Sequence, residues 1–132
     1  MTFTLSITTT LSHQSAVDVT RAALAENGFG VLTEIDLQAT LLQKAGTDIG
    51  PCRILGACRP PLAVAAFAAD KRVATLLPCN VVIRTEGDRS VVEAMDPALM
   101  SEISGTDAFD EVAADARARL QAALDAVAAV DR

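Results

Sequence analysis

Cys58 stands directly before Arg59-Pro60-Pro61, and here the sequence comes nearest to chemistry. Proline is favoured in a first helical turn, so a helix starting at Pro60 or Pro61 places the Cys58 thiol beside that helix's positive end. Arg59 is adjacent and Arg53 lies upstream, surroundings that favour thiolate over thiol. Cys79 follows Pro78 at a kink and precedes Asn80, and it faces Cys58 if the strands that carry them are neighbours. A thiol pair in one cleft is suited to redox exchange, soft-metal binding or sulfur transfer. The same residues also read as packing, because a cysteine at a strand end is a small buried apolar side chain.

Other reactive residue types are sparse. Cys52 and Cys58 are separated by five residues, unlike the compact Cys-x-x-Cys of zinc or thioredoxin-type sites, so no metal and no cofactor is expected from spacing. His13 is the only histidine and reads as a solvated residue before the first helix. Glu34 and Asp36, two apart, form a carboxylate pair if their strand continues, or a strand end followed by an Asp helix cap. The glycines at 28, 30, 46 and 50 match neither a dinucleotide nor a phosphate loop. There is no Gly-x-Ser-x-Gly elbow, and a Ser-His-Asp set would have to use His13. No complete catalytic set is legible.

The elements that must position these residues are short. Phe3 to Thr8 alternates apolar with hydroxyl side chains, the period-2 pattern of a strand with one buried face. Ser12 and Ser15 offer caps for a helix that stops at Asn27-Gly28. Phe29 to Ile35 reads as a strand, and Asp36 caps a helix that ends at Gly46. Arg53 to Ala57 is a short strand feeding the proline-started helix, which runs to Ala69. Val73 to Leu77 and Cys79 to Arg84 read as strand on both sides of Pro78. Glu86-Gly87-Asp88-Arg89 turns the second of these into a hairpin with Ser90 to Met95. Asp96-Pro97 caps a short helix. A last helix spans 107–130, with Phe109, Val112, Ala116, Leu120, Leu124 and Val127 on its inner side and an Asp115–Arg119 pair outside. Together these predict one α+β domain over 1–132, a mostly antiparallel or mixed sheet covered by helices.

Composition narrows the function classes. The 132 residues are 51% hydrophobic and 21% charged, within the range of globular proteins. A net charge of -6 opposes nucleic acid and anionic lipid surfaces, and four phenylalanines without Trp or Tyr supply few stacking platforms. Three cysteines without a paired framework suggest reduced thiols and a cytoplasmic protein. The N-terminal stretch has neither the charge nor the apolar core of a signal peptide, and no segment suits a membrane span.

Four motifs in order then carry a likeness: Gly28-Phe29-Gly30-Val31-Leu32-Thr33-Glu34-Ile35-Asp36, Ile54-Leu55-Gly56-Ala57-Cys58-Arg59-Pro60, Leu76-Leu77-Pro78-Cys79-Asn80-Val81-Val82, and Met95-Asp96-Pro97. Over about residues 3–103 the chain resembles the domain of unknown function family 302. The resemblance implies a small α+β fold, a homodimer, and no established reaction. Its two cysteine positions map onto Cys58 and Cys79, and Arg59 stands where asparagine is usual, a bulky cation for a neutral amide. The helix beyond Asp107 reads as an added packing or dimer element. The expectation is a non-catalytic homodimer binding a small anionic ligand or a protein partner near Cys58, Arg59, Cys79 and Asn80. The alternative is a redox or sulfur-carrier protein using Cys58 and Cys79.

Overall fold

Five strands form one antiparallel sheet in the order β1-β5-β4-β3-β2, in a computed structural model that describes residues 2–130. Met1, Asp131 and Arg132, which the sequence reading includes in the same domain, lie outside those residues. The elements are β1 (Thr4–Thr9), α1 (His13–Glu26), β2 (Gly30–Asp36), α2 (Leu37–Ala45), β3 (Cys52–Cys58) and α3 (Pro60–Ala69). A 3-10 helix (Lys71–Leu76), β4 (Cys79–Glu86), β5 (Arg89–Met95), α4 (Leu99–Ser104) and α5 (Asp110–Ala129) complete the chain. This is the expected α+β class, with the long last helix.

The helix boundaries follow from local chemistry. Ser12 accepts a hydrogen bond from the Ser15 amide, and Asp36 accepts one from the Ala39 amide at 3.0 Å, so each ties down an otherwise unpaired donor of its helix's first turn. Gly46 ends α2 in the left-handed region at φ 68°, where a side chain is strained. Asp96, expected as the cap of the next helix, instead accepts from the Ala98 amide in a turn, and α4 begins at Leu99. The main departure is at Val73 to Leu77, expected as strand. Asp70 binds the Arg72 amide through its side chain at 2.9 Å and starts a 3-10 turn, and Val73 is buried with Phe109 and Met100 in a small second core. A local side chain-to-backbone bond and a separate apolar seat outweigh the strand pattern there.

Along each strand, alternate residues enter the core. Leu55 of β3 pairs with Val81 of β4, and Ile83 with Val92 of β5. All four are fully buried beneath α1 and α5. From above them α1 supplies Val17 and Leu24, and α5 supplies Leu120, Leu124 and Val127. Burying those aliphatic side chains, roughly 1.5–3 kcal/mol each relative to exposure, is the main force holding α5 on the sheet. The Asp115–Arg119 pair forms at 3.0 Å, and Arg119 also donates to the Asn27 carbonyl at 3.3 Å, clipping α5 to the end of α1.

Candidate functional site

Register decides which candidate residues share a face. Ala57 of β3 lies opposite Cys79 of β4, and Gly56 lies opposite Asn80. Successive strand residues point to opposite sides. Cys79 is therefore on the helix-covered face and buried, whereas Asn80 is exposed on the other face near Pro78, Val82 and Met95. Cys58 is the last residue of β3, where the chain turns into α3.

Cys58, Arg59 and Cys79 line one cavity of about 30 Å³. Asn80, proposed from the sequence as a fourth member, is not among its walls. The remaining walls are apolar and include Phe29, Leu62, Ala66, Leu77 and Met100. A space of this size holds one or two water-sized occupants, far below the hundreds of Å³ that organic ligands occupy. Met100, from α4, is the member that sequence reasoning missed. No spacing signal ties it to the cysteines.

The electrostatics differ from the sequence expectation in two ways. First, the positive end of α3 offers no free donor. Pro60 and Pro61 have no N–H, and the Leu62 and Ala63 amides both donate to the Arg59 carbonyl, at 3.0 and 3.1 Å. Second, Arg53 sits at the far end of β3, paired with Glu34 and, at 3.6 Å, with Asp36. Glu34 also pairs with Arg21, so the Glu34 and Asp36 carboxylates serve as partners for arginines and, for Asp36, as a helix cap. Arg59 alone supplies positive charge at the cavity. Its Nε is buried without a hydrogen-bond partner, and its side chain passes close to Gly28, where a β-carbon would lie 3.4 Å from that nitrogen.

All three cysteines are free thiols. Burial pushes the Cys79 thiol above its ordinary value of 9.0, and the nearby Cys58 raises it further. Burial likewise raises Cys52, with Arg84 opposing and Asp36 and Glu93 adding to the rise. His13 opens α1 half-buried, its pKa lowered by burial and by Arg53, with Asp36 opposing. A second, larger cleft of about 210 Å³ lies between the 3-10 helix and the α4–α5 turn, lined by Asp70, Arg72, Thr75, Ile103 and Phe109. There Arg72 grips the Asp70 carboxylate, which its hydrogen bonds hold down at about 2. Among the described residues no group of three or more His, Cys, Asp or Glu side chains converges to hold a metal.

The fold is thus an α+β domain, an antiparallel sheet covered on its core face by α1 and α5, with a cavity lined by two free cysteines at one end of its central strands. The chain belongs to the family described as domain of unknown function DUF302, whose family model matches residues 5–127. The match extends through most of α5, so that helix is part of the family fold and not an addition to it. A solved structure, an uncharacterized conserved DUF302 protein from Bacillus stearothermophilus, is similar at 27% identity and a TM-score of 0.88. The alignment covers 96% of this chain and 98% of that one. No curated protein matches. Among the described residues no helix is long and apolar enough to cross a membrane.

Proposed function

We propose that the protein is a non-catalytic binding module whose ligand seat is the Cys58–Arg59–Cys79 cavity, acting where thiols stay reduced. The single observation that carries this reading is that two cysteines and an arginine whose Nε is buried without a hydrogen-bond partner line one small apolar cavity. An unpaired buried donor is costly, of the order of 1–3 kcal/mol, and an occupant or water that accepts from it removes that cost. The seat differs in kind from the anion site expected at the helix terminus, because α3 begins with two prolines. Asn80 belongs to the opposite face and has no part in it.

The test is two-dimensional NMR of the reduced protein against small anions, thiol-reactive probes and soft cations. The reading expects one class to move the resonances of Cys58, Arg59 and Cys79 together while leaving Asn80 still. If no class moves them and a glutathione buffer instead cycles Cys58 and Cys79 through a reversible disulfide, the redox alternative replaces this reading.

The homodimer implied by the family also belongs to this reading, and α3 is the surface we assign to it. The segment is apolar all round, yet only Ala66 is buried. Val64 is 70% exposed and Phe67 46% exposed. A helix without a polar face is normally covered on all sides. The molecule carries a charge of -6 and residues 60–69 carry none, so a second copy meets this patch without the like-charge repulsion that other faces impose. Light scattering is expected to give twice the 13.7 kDa chain mass, and Phe67→Glu is expected to give the monomer. A wild-type monomer, or a Phe67→Glu dimer, overturns the assignment.

A further inference from the structure

Three sulfur-bearing residues from three separate elements line the cavity: Cys58 at the end of β3, Cys79 at the start of β4, and Met100 in α4. The chain has only three cysteines and three methionines, so half of its sulfur lines a space of about 30 Å³. No carboxylate or imidazole joins them, and the rest of the wall apart from Arg59 is hydrocarbon. Thiolate and thioether donors in a water-poor pocket select soft monovalent ions, whereas zinc takes four donors in tetrahedral array and calcium or magnesium takes oxygen.

We propose that Cys58, Cys79 and Met100 form a site for one soft monovalent d10 cation, Cu(I) or its redox-inert analogue Ag(I). The proposal rests on the reading of this cavity as the ligand seat and names the ligand class. Each thiol gives its proton to solvent as its sulfur lone pair binds the ion, and Met100 adds a lone pair without a proton. No electron is transferred. Two thiolates and one monovalent cation leave a net charge of -1, and the Arg59 guanidinium beside the cavity balances it. Arg59 is thus a positioning and charge-balancing residue in a place where a neutral amide supplies no charge.

The experiment is anaerobic titration of the reduced protein with Cu(I) against a chromophoric Cu(I) chelator, repeated with Ag(I) by NMR. X-ray absorption counts the sulfur neighbours of the bound copper. The expected result is one ion per chain with sulfur-only coordination. Cys58→Ser and Cys79→Ser should lose it, while Cys52→Ser keeps it. Met100→Leu, which conserves core volume, should lower the sulfur count by one, and Arg59→Gln should weaken affinity about 10-fold, as loss of an outer-shell partner does. Stoichiometric binding retained by the folded Cys58→Ser, Cys79→Ser double variant overturns the site, as does an unchanged sulfur count in Met100→Leu. If neither ion binds while an anion or thiol probe still moves the cavity resonances, the metal assignment falls and the ligand seat stands. If nothing moves them, both fall.

Discussion

A Cys-Arg dipeptide stands at each end of strand β3, Cys52-Arg53 opening it and Cys58-Arg59 leading out of it into α3, and the two ends have opposite fates. At the first, Arg53 is neutralised by Glu34 and Asp36, and Cys52 is buried at the start of the strand. At the second, Arg59 has no ion-pair partner among the described residues, and Cys58 shares a cavity with Cys79 and Met100. The Cys-Arg pair is the same at the two ends, with two prolines following only the second. What differs is supplied by other elements: carboxylates from the β2 edge at one, sulfur from β4 and α4 at the other.

That contrast can be broken or sharpened by substitution. The largest effect is expected from Leu55→Ala, midway along the strand, where the lost side chain is fully buried. Removing it should cost about 2–5 kcal/mol in urea unfolding and loosen both ends together. Gly56→Ala acts on the Cys58 half alone. A β-carbon there would lie 2.9 Å from the Pro78 ring and 2.2 Å from the Thr33 hydroxyl, and although the hydroxyl can rotate, the ring cannot. Overpacking of this kind should cost about 1–3 kcal/mol, and NMR shifts should spread to Cys79 while sparing Cys52.

Glu34→Gln makes the first end resemble the second by removing the carboxylate shared by Arg21 and Arg53. Because these side chains are partly solvated, the expected loss is at most about 1 kcal/mol, and it should shrink in high salt. The smallest effect is alkaline. Burial raises the folded-state values of both Cys52 and Cys79 above the ordinary 9.0. Stability from keeping these thiols neutral is present in full below 9.0 and is lost as pH rises through the raised folded values. Urea midpoints from neutral pH upward should fall beyond that point, and Cys52→Ala should soften the fall by its own share only.

Much of the frame was legible because it is written in local chemistry. Asp36 and Gly46 mark the ends of α2, Pro60 opens α3, and Gly87 turns the β4–β5 hairpin at φ 62°. The Val73 to Leu77 stretch departs from its strand pattern because Val73 and Leu76 fit strand and helix equally, and only the Asp70 cap and the seat beside Phe109 choose the Lys71–Leu76 turn. At the site, whether the strands of Cys58 and Cys79 are neighbours is decided by strand order, which sets β3 beside β4. The opposite facing of Cys79 and Asn80 was readable from strand alternation alone. Met100 was not readable, because the contact that brings α4 to the cysteines has no counterpart in sequence spacing. Nor was the solitude of Arg59, since whether an arginine finds a carboxylate depends on which strand edge lies beside it.

Strand order has a consequence in time as well as in space. β2, β3, β4 and β5 pair with their sequence neighbours, but β1 pairs only with β5, setting Thr4 opposite Met95. A nascent chain can therefore build the thiol-bearing strands as a meander while its first strand waits. Closing so long a loop adds an entropic cost that the local hairpins avoid, which makes β1 docking a late step of folding. Until it docks, the outer edge of β5 is an open template for another chain, so crowding during synthesis should favour strand exchange at that edge before any other failure.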